Sequence, residues 1–367
     1  MQKDFLGVYI HVPFCKSKCP YCDFYSVTFS EDLIEKYIKT VCDELFRYSL
    51  QTDKTVDTIY FGGGTPSLLS TKHISKILEN IQKNFKISNP EITMEINPAD
   101  CDIQYFRETK NMGVNRISLG VQSFEDSQLK ILGRRHTVED SVKSFENIKS
   151  VGINNISFDF MLGIPGQSFK GIDRFFDFCK NNFVPHISAY ILKIEKGTPY
   201  FYNKKNFIFP TDDQSADMYE YVCKKAKKIG YNHYEISNFS YDNFESRHNT
   251  KYWNLDEYIG VGPGAHSLFE NKRFYYSRNL SEFINAPKTL NEGIFEPEKE
   301  YIMLALRTKK GIINEEFKKK FNKDIPQKYL ERTEKFLKYG MIDKFDGGFR
   351  LAENSFLLSN VVISEII

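Results

Sequence analysis

The residues with the densest chemical potential lie near the start of the chain, in YIHVPFCKSKCPYCDFYS (Tyr9 to Ser26). Cys15, Cys19 and Cys22 stand there at Cys-x3-Cys-x2-Cys spacing, and no further cysteine follows until Cys42. Three chemistries use thiols packed this closely. A disulfide framework belongs to small, cysteine-dense secreted chains, whereas seven cysteines in 367 residues are odd in number and sparse. Structural zinc takes four ligands in a closed tetrahedral set. His11 is a candidate fourth ligand, but VYIH reads as a strand that would hold it back, and no second cysteine pair follows. An iron–sulfur cubane binds one ligand per iron, usually four thiolates. Three thiolates leave one iron with open positions, a defect in an electron carrier and the purpose of a cluster that binds a ligand.

Several other stretches carry reactive or ligand-binding residue types. FGGGTPS (Phe61 to Ser67) is a glycine-rich turn directly after a strand-like run; Gly63, Gly64 and Thr65 there can bring backbone N–H and C=O groups close to a ligand. MEINP carries Glu95, GVQSF carries Gln122, LGRRHT carries Arg134 and SFDFMLGIPGQ carries Asp159. An acid inside an apolar strand is costly unless it is paired. One such residue is as well explained by capping a helix or bonding a loop; four near strand ends point to a site.

These residues need a scaffold, and the pattern of the chain supplies one. Strand-like runs occur at 7–12, 56–61, 91–96, 115–121, 154–162 and 186–194, separated by amphipathic stretches such as EDLIEKYIKTVCDELFRYS. Strands alternating with helices predict a parallel α/β fold, either an open doubly wound sheet or a barrel. FCKSKC, GGGTP, NPAD, QSF and GIPGQS all follow strands, where such folds assemble their sites. No G-x-G-x-x-G follows the first strand, which argues against a dinucleotide fold. Residues 231–290 are aromatic, Asn-rich and Gly-rich. From 291 to 367 the chain turns helical and includes a hairpin, MIDKFDGGFRLA, with a Gly-Gly turn. The expected division is therefore 1–230, 231–290 and 291–367, the last a small α+β, winged-helix-like unit. Its Glu315, Glu316, Asp343 and Asp346 among lysines argue for a capping role over DNA binding. A net charge of +2 gives no reason to expect nucleic acid. No apolar run of membrane-spanning length and no signal peptide are visible, so a reducing cytoplasm is expected. Cys42, Cys101, Cys179 and Cys223 are isolated and read as structural thiols.

CKSKCPYC after a short N-terminal strand, with Tyr21 just before the last cysteine, resembles the signature of the radical S-adenosylmethionine (SAM) superfamily. That resemblance implies a partial six-stranded (β/α) barrel. It also implies a [4Fe-4S] cluster on Cys15, Cys19 and Cys22, with SAM chelating the open iron. The turn at Gly63, Gly64 and Thr65 resembles the one that holds the SAM amino group, Glu95 matches a SAM-binding position, and Tyr9 matches a residue that packs on SAM. Gln122, Arg134 and Asp159 match positions around a second nucleotide site or the substrate side of the cavity.

YIHVPFC, GGGTPS, GVNRISLGVQSF, LGRRH and LGIPGQ together resemble the branch that holds oxygen-independent coproporphyrinogen III oxidase and the haem chaperones. The oxidase type carries an extra cysteine two residues after the third, where this chain has Phe24, and an N-terminal extension for which six residues leave no room. RHNTKYWN matches the His-Asn-x-x-Tyr-Trp motif of the chaperone type at His248, Asn249, Tyr252 and Trp253. An imidazole is a good axial ligand for haem iron, and aromatic rings pack on the macrocycle; read alone, the motif better suits a loop covering the barrel mouth, and the missing cysteine at Phe24 and the short N-terminus tip the reading to haem. The resemblance thus implies a haem chaperone with no catalytic residue assigned. His248 would be the haem iron ligand, and the partner a haem-acceptor protein, with respiratory-chain enzymes as one class and peripheral membrane contact allowed. His266, in IGVGPGAHS, reads as structural.

Overall fold

The computed structural model describes residues 4–28 and 30–367. Six parallel strands alternate with helices: β1 (Phe5–Val12), β2 (Thr55–Gly63), β3 (Lys86–Ile96), β4 (Arg116–Gln122), β5 (Asn155–Leu162) and β6 (His186–Ile191). Neighbours in the chain are neighbours in the sheet, all parallel. Helix α1 (Glu31–Ser49) coincides with the amphipathic stretch read from the sequence, burying Ile34, Tyr37, Ile38, Val41 and Leu45 along one face. Cys42 packs beside that face, as a structural thiol should.

The sheet does not stop at residue 230. Segment 231–290 supplies β7 (Asn232–Glu235) and β8 (Asn238–Ser240), which continue it antiparallel beyond β6. The segment also supplies β9 (Tyr258–Val261), which lies parallel to β1 on the other edge, followed by β10 (His266–Phe269) and β11 (Lys272–Tyr276). With β12 (Thr289–Asn291) the described strands form one twelve-stranded sheet. This middle segment is therefore part of the barrel wall and not a separate appendage. A short helix within it, Arg247–Trp253 (α2 here), carries the His-Asn-x-x-Tyr-Trp motif.

Toward the C-terminus the chain forms helices and a second, smaller sheet. Helices Pro297–Ala305, Asn314–Phe321 and Gln327–Lys338 pack with a three-stranded antiparallel sheet whose hairpin turns at Asp346–Gly347. Residues 353–358 form a 3-10 turn ahead of the last helix, Ser359–Ile366. No helix among the described residues is long and apolar enough to cross a membrane.

The strands alternate strictly. Val8, Ile10, Ile59, Phe61, Met94, Ile117, Leu119, Phe158 and Ile187 face the helices and form the main core. The opposite face carries Tyr9, His11, Thr58, Tyr60, Thr93, Glu95, Arg116, Ser118, Asp159 and His186. Successive residues of a strand point to opposite faces, so the apolar layer is the wall of the barrel and the polar layer lines its lumen. The curvature brings Tyr60 of β2 near Tyr190 of β6, four strands away.

Candidate functional site

The thiol loop leaves the C-terminal end of β1. Phe14–Cys15 pair with Val27–Thr28, which pins both ends of the loop, and Cys22 N–H donates to Cys19 O at 3.1 Å. All three thiols are free and partly accessible. Burial pushes the Cys22 thiol up, and the other two lie close enough to add to the rise. A bound cation supplies the charge that reverses such a shift. His11 is held back, as its strand position implies: one ring nitrogen meets Tyr9 Oη at 3.1 Å and the other Tyr25 O at 3.0 Å. Among the described residues, no three His, Cys, Asp or Glu side chains close round a single-ion position. A cubane, by contrast, distributes its thiolates over separate irons, and three free thiols on one pinned loop suit it.

The glycine turn at the end of β2 lies against this loop. A side chain at Gly64 would place its Cβ 2.7 Å from Phe14 O and 3.1 Å from Cys15 Sγ. Gly63 has φ +111° and faces the His11 ring. Its N–H donates to Glu95 Oε2 at 3.1 Å, and Tyr60 Oη donates to Glu95 Oε1 at 2.9 Å. Burial, then the neighbouring Asp159, pushes Glu95 up to about 7. Burial likewise pushes Asp159 to about 6, although Ser118 Oγ donates to it at 3.0 Å. Two partly buried carboxyls thus face the lumen just below the thiol loop, at the level where a polar, cationic ligand would meet them.

Arg134 and Gln122 converge over Gly120, each about 3.1 Å from where its Cβ would stand. Gln122 has φ +64°, which turns the chain at the end of β4. Arg134 joins the thiol loop directly, its Nη1 lying 3.8 Å from Cys19 Sγ. Asn97, in the NPAD turn but not singled out within it, ties the set together. Its Nδ2 donates to Thr65 Oγ1 at 3.2 Å, Thr65 Oγ1 reaches Cys15 Sγ at 3.5 Å, and its Oδ1 accepts from Arg134 Nη2 at 2.6 Å. An unbroken polar chain therefore runs from Cys15 to Cys19. Its only sequence signal is an asparagine following Glu95 by two positions at a strand end. Arg116 was also missed. It is 2% exposed in the lumen, with no hydrogen-bond partner at Nε, and its charge offsets part of the rise at Glu95 and Asp159.

The His-Asn-x-x-Tyr-Trp motif lies at the other end. Glu91, near the start of the inward-facing run of β3, accepts the N–H groups of Arg247 and His248 at 3.1 and 3.0 Å and so caps α2 onto the strand entrances. His248 is 1% exposed and points up into the lumen. Its Nδ1 lies 2.8 Å from Thr58 Oγ1 and its Nε2 2.8 Å from Tyr252 Oη, and its ring packs on Tyr60. The motif is therefore the barrel floor, not a cover over the mouth. Both ring nitrogens are therefore engaged in this structure. Burial pushes His248 down to about 3, which keeps the imidazole neutral. Asn249 donates its backbone N–H to Ser246 Oγ, and Trp253 faces a cavity on the outer side of the helix. His266 stands apart, on a strand edge beside Glu292.

The barrel, its polar lumen and the three-thiol loop at one end define a radical SAM protein, and the Radical SAM superfamily profile matches residues 9–179. Within that class the chain belongs to the haem chaperone HemW family. It is 33% identical over 366 residues to the "Heme chaperone HemW" of Lactococcus lactis subsp. lactis (strain IL1403), covering 95% of this chain and 96% of that protein. It is 32% identical over 370 residues to the protein of that name from Bacillus subtilis (strain 168), covering 97% of each. Among solved structures it is similar to coproporphyrinogen III oxidase (HemN) from Escherichia coli, with a TM-score of 0.84 and 17% identity over 100% of this chain and 91% of that one. At that identity the likeness is one of fold. The family implies a [4Fe-4S] cluster and SAM, and the residues at the cluster end fit them.

Proposed function

We propose that this protein is a haem chaperone. It takes up haem at the floor end of the barrel and passes it to an acceptor protein in the cytoplasm, while cluster and SAM occupy the opposite end. The observation that carries this proposal is α2: the motif shared with haem chaperones forms its own helix, capped by Glu91 and accessible from outside the barrel. His248 is the candidate iron ligand. Because Tyr252 Oη holds Nε2, ligation requires that hydroxyl to move aside; Thr58 then keeps the remaining imidazole proton on Nδ1. Tyr252 supplies ring surface beside the iron, and Trp253 supplies it on the outer side of the helix.

At the cluster end, Cys15, Cys19 and Cys22 hold the cluster, which with SAM supplies one-electron chemistry at a sulfonium when both are bound. Gly63, Gly64 and Thr65 frame the ligand's polar end, and Glu95 and Asp159 offer carboxyl oxygens. Arg134, Gln122 and Asn97 orient the loop, and Tyr9 packs beneath. Phe24, 65% exposed, stands where the oxidase type has cysteine, so no oxidative decarboxylation is assigned. One sample decides between the two functions. After anaerobic cluster reconstitution, haem should give a shifted Soret band saturating near one per chain. Coproporphyrinogen III with SAM and reductant should yield no more protoporphyrinogen than a heat-killed control. Decarboxylation without haem binding would make the protein an oxidase instead.

A further inference from the structure

On the outer side of α2, between the strand entrances and the C-terminal unit, lies an open cavity of about 1170 Å³. Small-molecule sites usually span roughly 300–1,000 Å³, so this one has room for a macrocycle. Its two sides differ in kind. The barrel side offers flat or apolar surface from Trp253, Phe5 and Pro90, while the C-terminal side offers Lys309, Lys310 and Arg350. The acids of the lining are largely spent. Asp57 pairs with Lys251 at 2.7 Å, Glu91 caps α2, and Asp256 pairs with Lys320 at 3.1 Å, leaving Glu245. Of the cations, Lys310 pairs with Glu316 at 2.7 Å, while Lys309 and Arg350 are freer. Lys309 has no ion-pair partner among the described residues, and Arg350 meets Asp343 only at 3.6 Å. Three side chains of the lining also keep a buried polar atom without a hydrogen-bond partner: Asp57 Oδ1, which has only its ion pair with Lys251, Asn155 Oδ1 and Trp253 Nε1. Native structures normally complete such groups with water or a ligand.

We infer that this cavity is the docking site for haem, resting the macrocycle against Trp253 and turning its two carboxylates to Lys309 and Arg350. The inference rests on the haem-chaperone reading and adds the site of first contact. His248 faces away from the cavity, so docking here is separable from iron ligation. Charge complementarity selects the orientation: an apolar plate with two carboxylates on one edge meets a ring-bearing wall and a cationic wall.

The test titrates full-length, cluster-reconstituted protein with haem and with haem dimethyl ester, whose carboxylates are blocked. Lys309 is exposed, so Lys309→Glu should fold normally, which thermal melting will verify. Lys309→Glu should weaken haem about tenfold, the scale of reversing one charge contact, and leave ester binding within about twofold of wild type. Trp253→Phe should weaken both ligands alike. If wild type binds no haem, the haem-chaperone reading itself fails. If wild type binds haem but Lys309→Glu affects haem and ester equally, or affects neither, the docking site is overturned while that reading stands.

Discussion

Replacing Tyr252 with phenylalanine should tighten haem binding. In this structure, Tyr252 Oη sits 2.8 Å from His248 Nε2, the nitrogen an iron would take. A buried hydrogen bond of this kind contributes about 1 kcal/mol net, and removing one partner leaves the other unsatisfied at about 1–3 kcal/mol. In the Tyr252→Phe protein the first term no longer opposes ligation, and the orphaned imidazole gains a partner when iron arrives. The apparent Kd should therefore fall by about fivefold for 1 kcal/mol. The ligand-free variant should also melt lower than wild type, with haem restoring more of the loss than it adds to wild type. Phenylalanine keeps the ring packed near Tyr258, so hydrophobic contact is preserved. His248→Ala is the opposing perturbation: it should shift the Soret band and weaken binding while iron content of the cluster is unchanged. Soret titrations and thermal melts with and without haem read both. If Tyr252→Phe binds haem no better than wild type and shares the spectrum of His248→Ala, the hydroxyl is no latch on the imidazole and His248 ligation must be abandoned.

Replacing Cys15, Cys19 or Cys22 with serine should abolish [4Fe-4S] absorbance, whereas the same change at Cys42, Cys101, Cys179 or Cys223 should leave four irons per chain; iron analysis distinguishes them. Gly64→Ala sets a methyl group 2.7 Å from Phe14 O and 3.1 Å from Cys15 Sγ, so it should cost about 1–3 kcal/mol by overpacking and impair iron retention, both measurable on one preparation. Glu95 holds its proton to about pH 7 folded, against 4.5 in an unfolded chain. The folded state therefore binds more protons between those values, and stability falls as pH rises from about 4.5 to 7. The loss is about 3 kcal/mol at full shift, and Glu95→Gln should flatten the pH dependence of chemical denaturation over that window.

Much of this was legible in one dimension. The thiol spacing is a property of a single loop, so the signature at Cys15, Cys19 and Cys22 is legible without a fold. The six strands and α1 follow from local periodicity. Even the polar lumen is written in GVYIHV and NRISLGV, where every second residue is polar or small, because a strand sends alternate side chains to opposite faces. What periodicity cannot supply is the pairing of distant residues. Asn97 gains its role from Thr65 and Arg134, which lie 32 and 37 positions away, and Arg116 matters because curvature encloses it with Glu95 and Asp159. The motif at His248 makes the contrast plainest. Its residue types suggested an iron ligand backed by rings, but which way an imidazole points depends on what caps and underlies its helix. Glu91 and Thr58, brought together by strand register some 157 and 190 positions from His248, turn it into the barrel, whereas Trp253 faces the cavity outside. Sequence supplied the chemical groups; long-range packing, whose contacts have no local signature, decided which of them are open to a ligand.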